Sequence, residues 1–154
     1  MSERFKLIAE ECGRVIGFEK PNVPDDYYAL QIGEILVVLE PTEVDTEGEG
    51  ILAMAEVGEL ASDVPEKVLR MLLGANIGFE FTRGASLGLS PDDNKLLLSK
   101  IYSPAVDSGE KLANQLNLFV DVAEYWQSVV VDLQQQPQQS ESEVLQPNIN
   151  MLQV

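Results

Sequence analysis

Apolar residues near the start of the chain recur at three- and four-residue intervals: Phe5, Ile8, Cys12, Val15 and Ile16. Glu3, Lys6, Glu10, Glu11 and Arg14 occupy the other positions. That spacing predicts an amphipathic helix from about Ser2 to Ile16. Gly17 stands where a left-handed C-terminal cap belongs. Pro21 and Pro24 keep the following connection extended. The pattern then changes to period two. Tyr27 to Ile32 and Ile35 to Glu40 read as strands flanking Gly33-Glu34, a pair suited to a two-residue type II′ turn. Tyr28, Leu30 and Ile32 share one face of the first strand, and Ile35, Val37 and Leu39 share one face of the second. Leu36 and Val38 fall on the opposite face, so the second strand is apolar on both sides and the surplus side needs a cover.

Pro41 to Gly50 carries Glu43, Asp45, Glu47 and Glu49 without a basic residue. It lacks the Asp-x-Asp-x-Asp-Gly order and the distal Glu of a calcium loop, and is expected to be a solvated acidic hairpin loop. Ile51 to Val57 is a third predicted strand. Asp63 and Glu66, three apart with Pro65 between them, predict a capped second helix whose stripe is Val64, Val68, Met71, Leu72 and Ala75. Three further strands are expected, at about Ile77 to Arg83, Ser86 to Leu89 and Lys95 to Tyr102, the last two joined by Ser90-Pro91-Asp92-Asp93-Asn94. Asp107 and Glu110 repeat the capping pattern before a third helix running to about Leu133. One face of it holds Leu112, Leu116, Phe119, Val120, Ala123, Gln127 and Val130, and a second, partial stripe holds Val122, Trp126 and Val129. Residues 1–133 thus predict an α+β domain of order α-β-β-β-α-β-β-β-α, an antiparallel sheet with helices packed on it. Residues 134–154, rich in Gln and Pro, have too few apolar residues for a core. They are expected to be disordered, with Met151-Leu152-Val154 a short docking motif.

Composition narrows the function. Ten basic and 26 acidic residues give a formal charge of -16. A field of that sign repels phosphate backbones and anionic headgroups, so neither nucleic-acid binding nor membrane insertion is expected. The opening MSERFKLIAEECGR has no apolar h-region and no run approaches the roughly 20 residues of a membrane span, which predicts a cytoplasmic protein. Cys12 is the single cysteine and lies in a helix stripe, where it reads as a core residue. The chain has no histidine, which removes the commonest general base and metal ligand. Gly84-Ala85-Ser86-Leu87-Gly88 has its serine one place off a nucleophile elbow, and no phosphate-binding glycine loop is present. No cofactor, metal site or catalytic constellation is expected.

One stretch is more specific. Leu72-Leu73-Gly74-Ala75-Asn76 is followed by Gly84, by Leu87-Gly88-Leu89 and by Leu96-Leu97-Leu98. The helix Leu112-x3-Leu116-x2-Phe119-Val120-x2-Ala123-Glu124-x-Trp126 completes it. Together these resemble the class I type III secretion chaperones of the Tir-chaperone-like family, small acidic α/β homodimers. The resemblance implies a bacterial cytoplasmic chaperone. It would bind the unfolded N-terminal segment of a secreted effector, keep it export-competent and hand it to the secretion ATPase. A regulator of the same fold that sequesters a transcription activator or anti-activator is the alternative. Phe5, Ile8, Leu30, Ile32, Leu36 and Val38 are the candidate client-binding residues, each with an ordinary core position as the favoured alternative. Leu69 and Leu73, off the buried helix stripe, with Ile77, Phe79 and Trp126, are the candidates for a homodimer interface, Trp126 having a core tryptophan as its alternative.

Overall fold

The computed structural model describes residues 2–18 and 27–135. Helix α1 spans Glu3–Ile16. Ser2 caps it, its Oγ accepting from the Arg4 and Phe5 amides, and Gly17 ends it at φ 123° with its N–H on the Gly13 and Arg14 carbonyls. The buried stripe is Phe5, Ile8, Ala9, Cys12 and Gly13. Small residues fill two of its places, and Val15, expected on it, is exposed.

Strands β1 (Tyr28–Ile32), β2 (Ile35–Val44) and β3 (Gly48–Glu59) form a meander. Gly33 takes φ 60° in the first turn, which suits the expected tight reversal. The acidic stretch is ladder rather than loop. Pro41 pairs with Ile51 and Val44 with Gly48, leaving only Asp45-Thr46-Glu47 to turn. Pro41 is tolerated because the pairing with β1 ends at Leu39, so among the described residues no β1 partner needs the missing N–H.

Helix α2 is Glu66–Ala75. Its N-cap is Pro65 and no side chain caps it, so the expected Asp63–Glu66 capping box does not form. The strand expected at about Ile77 to Arg83 is instead a short 3-10 turn, Ile77–Phe79, followed by further turns. Gly78 at φ 69°, Phe79 at φ 57° and Arg83 at φ 49° are incompatible with extended backbone. Strands β4 (Ser86–Leu89) and β5 (Lys95–Tyr102) follow, and then helix α3, Gly109–Gln135. Ser108 rather than Asp107 caps α3, its Oγ accepting from the Lys111 amide, while Asp107 pairs with the Lys111 ammonium. The order of the described elements is therefore one strand shorter than expected. The expected class stands, an antiparallel sheet with three helices. Of the tail expected to be disordered from Gln134, Gln134 and Gln135 instead end α3, and residues 136–154 lie outside the described residues.

The five strands are ordered β1-β2-β3-β5-β4, every neighbour antiparallel. Helix α3 packs on β2 and β3, with α1 beside it against β1 and β2. Two glycines allow this close packing. A side chain at Gly58, beside the bulge in β3, would overlap Val130 of α3, and one at Gly109 would overlap the backbone of α1 at Cys12. Glu11 of α1 also accepts the Gly109 N–H at 2.7 Å, placing a carboxylate at the positive end of α3. Arg4 ties the layers further, donating to the carbonyls of Glu49, Pro104 and Val106.

Candidate functional site

Alternation along the strands divides the sheet. The side under α1 and α3 carries Leu30, Val37, Leu39, Ala53, Val57 and Leu98, all sealed from solvent. The other side is also apolar. Val38 stands between Ala29 and Met54, Met54 opposes Ser99, and Leu52 lies between Glu40 and Ile101. Leu36 is 52% exposed and Ile101 55%, while Val38, Met54 and Leu97 are half-buried. Leu36, Val38, Met54 and Leu97, with Gly58 and Gln127 at its end, line a groove of about 520 Å³. Glu34 and Glu56 also line it. Lys95 reaches Glu56 at 3.2 Å, and that hydrogen bond raises the Lys95 pKa above its ordinary value.

A second apolar surface follows α2. Leu73, Ile77 and Phe79 are exposed, at 70%, 79% and 48%, and Leu69 is half-buried beside them. This segment is held by two side chains. Asn76 bonds Leu87 of the edge strand β4 in both directions, accepting its N–H at 2.8 Å and donating to its carbonyl at 3.1 Å, much as a strand residue would. Trp126 donates its indole N–H to the Phe81 carbonyl at 3.0 Å. The Asn76 clamp was not identified from the sequence, although Asn76 closes the quoted Leu72–Asn76 motif.

The sequence-based candidates therefore separate. Of the six client-binding candidates, Leu36 and Val38 lie together on the open face, and Ile32 is half-buried against the core. Phe5, Ile8 and Leu30 are core side chains, at most 5% exposed, because α1 packs between α3 and the inner side of β1 and β2. For those three the arrangement found is the ordinary core position. Among the interface candidates, Leu69, Leu73, Ile77 and Phe79 stand together, but Trp126 is fully buried, edge-on to Tyr125 with ring centroids 5.4 Å apart. Its core alternative is the arrangement found. Met54, Leu97 and Ile101 were missed, though the both-sided apolarity of β2 had signalled that its outer face continues. Cys12 is buried, and desolvation raises its thiol pKa to about 12. Among the described residues no group of three or more His, Cys, Asp or Glu side chains is placed to hold a metal ion. No described helix is long and apolar enough to cross a membrane.

An antiparallel sheet with helices on one side and an apolar groove on the other defines a class of small α+β proteins with one face unused by the fold. The chain belongs to the Tir chaperone protein (CesT) family, whose model matches residues 8–127. Solved structures share the fold. A chain of the ExsC–ExsE complex is 23% identical with a TM-score of 0.64, the match covering 84% of this chain and 97% of that one. A chain of the heterodimeric ExoU–SpcU complex from the type III secretion system of Pseudomonas aeruginosa is 24% identical with a TM-score of 0.61, covering 80% and 95%. A chain of the HopA1–SchA chaperone–effector complex is 15% identical with a TM-score of 0.62, covering 80% and 93%. No curated protein is similar enough in sequence to match.

Proposed function

We propose that this chain is a type III secretion chaperone of the bacterial cytoplasm. As a homodimer it binds the unfolded N-terminal segment of a secreted effector and keeps it soluble and competent for transfer to the secretion ATPase. The observation that carries the reading is the open apolar face of the sheet at Leu36, Val38, Met54 and Leu97. Family membership supports it. An extended segment laid there buries alternate side chains. Each well-buried Leu, Ile or Val contributes roughly 1.5–3 kcal/mol, against ordering costs of a few kcal/mol, so several anchors suffice for tight binding without nucleotide.

The test is a double substitution, Leu36→Asp with Val38→Asp. Affinity for an effector's N-terminal segment should fall at least about 100-fold, since two carboxylates replace apolar contacts. Trp126 fluorescence and the urea midpoint should stay near those of the parent. Unimpaired capture, or a chain that no longer folds, would defeat the assignment.

The homodimer is placed at α2 and the turn after it. Phe79 supports this, being held at φ 57°, a conformation costly for a bulky residue, with its ring still half in solvent. Leu73→Asp with Ile77→Asp should convert the dimer to a folded monomer in sedimentation velocity. An unchanged sedimentation coefficient would remove this surface from the interface.

A further inference from the structure

The groove on the open face lies beside the point where the described chain leaves α3. Gln134 donates its side-chain N–H to the Glu59 carbonyl at 2.8 Å, which fastens the last turn of α3 to the end of β3. Glu59 adjoins Gly58, and Gly58 lines the groove. The sequence past Gln135 therefore starts at the groove's rim. Residues 136–143 are polar and include Glu141 and Glu143. Residues 144–154, VLQPNINMLQV, carry no charged side chain and hold Val144, Leu145, Ile149, Met151, Leu152 and Val154. That chemistry suits a groove bordered by Glu34 and Glu56, which penalise an acidic occupant and leave an uncharged apolar one unopposed.

We propose that residues 144–154 of the same chain occupy this groove when no client is bound, and that a client must displace them. The length of the intervening sequence permits it. A flexible linker of eight residues spans about 16 Å on average, at roughly 5–6 Å times the square root of the residue number. Tethering at that range gives an effective concentration on the order of 1 mM. A segment whose own affinity is about 0.1 mM then fills the groove about ten times as often as it leaves it empty. Occupancy covers Leu36 and Leu97 between clients and sets a threshold that a multi-anchor client passes and a weak apolar peptide does not. The regulatory half of the inference rests on the groove being the client site, whereas its occupancy by the segment does not.

The experiment uses the full chain with Met151→Asp and Leu152→Asp together. In methyl NMR without client, the signals of Leu36, Met54 and Leu97 should differ between parent and variant. Those of Leu73 and Ile77 should not. The difference should persist unchanged across a hundredfold range of protein concentration. The variant should then bind an effector's N-terminal segment about tenfold more tightly. Identical groove methyls in parent and variant would overturn the proposal, as would a difference that grows with concentration, which would mean a segment supplied by another copy. Shifted methyls with no client affinity in either protein would leave the occupancy standing and defeat the chaperone reading alone.

Discussion

The two faces of the sheet are built from the same residue types and have opposite fates. On β5, Leu96 and Leu98 are sealed beneath the helices while Leu97 between them lines the open groove. On β2, Val37 and Leu39 are sealed while Leu36 is half in solvent. Hydrophobicity does not separate these positions, since leucine stands on both sides. What separates them is where α3 lies, and α3 can settle on only one side. The covered face supplies the stability of the domain, and the open face holds apolar area that the fold itself does not use.

Neighbouring residues on β5 separate the two faces by the largest expected effect. Leu98→Ala should cost about 2–5 kcal/mol of unfolding free energy, by lost transfer energy and a residual cavity. Leu97→Ala should cost less than about 1 kcal/mol in the same urea titration and weaken client binding instead. Equal losses at both sites would erase the distinction between the faces.

A smaller effect comes from alkaline pH, through three groups on the covered side. Burial raises the Cys12 thiol from 9.0 to about 12, and burial also raises Tyr28 and Tyr102 above their ordinary values. Each is neutral when protonated, so above pH 9 the unfolded chain releases a proton that the folded chain retains. The stabilising contribution is complete below pH 9 and is lost progressively as pH climbs toward 12. Unfolding free energy should be lower at pH 10 than at pH 8 by about 1 kcal/mol, and Cys12→Ala should flatten that slope. A midpoint that holds steady to pH 10 would show that Cys12 reaches water.

Least of all, Thr82 is buried and its hydroxyl oxygen has no hydrogen-bond partner among the described residues. Thr82→Val should leave stability unchanged or raise it by up to about 1 kcal/mol, since no bond is lost and an unsatisfied oxygen is removed. A clear loss in thermal unfolding would reveal a partner for that hydroxyl.

Much of the fold was readable where local signals agree. The stripe of α1 and its Gly17 cap, the Gly33 turn, the β4–β5 hairpin and the long α3 all follow from periodicity and turn chemistry. The strand expected after α2 failed for a tertiary reason. Ile77, Phe79 and Phe81 alternate as a strand would, yet the segment curls, because Asn76 clamps it to β4 and the Trp126 indole holds the Phe81 carbonyl. Both partners are distant along the sequence and the contacts are made through side chains, so no local window contains them. The candidate site was half readable for a related reason. Leu36 and Val38 were singled out as surplus apolar residues, whereas Phe5, Ile8 and Leu30 were indistinguishable from them until α3 was in place.

By itself, the amino-acid order determined the helices, the hairpins, the acidic surface and the family, because these depend on residues close along the chain or on composition. Tertiary structure alone decided which apolar face is covered. Alternate side chains on a strand are chemically equivalent until a helix arrives on one side. Gly58 and Gly109 let α1 and α3 pack closely there, leaving the groove on the other side.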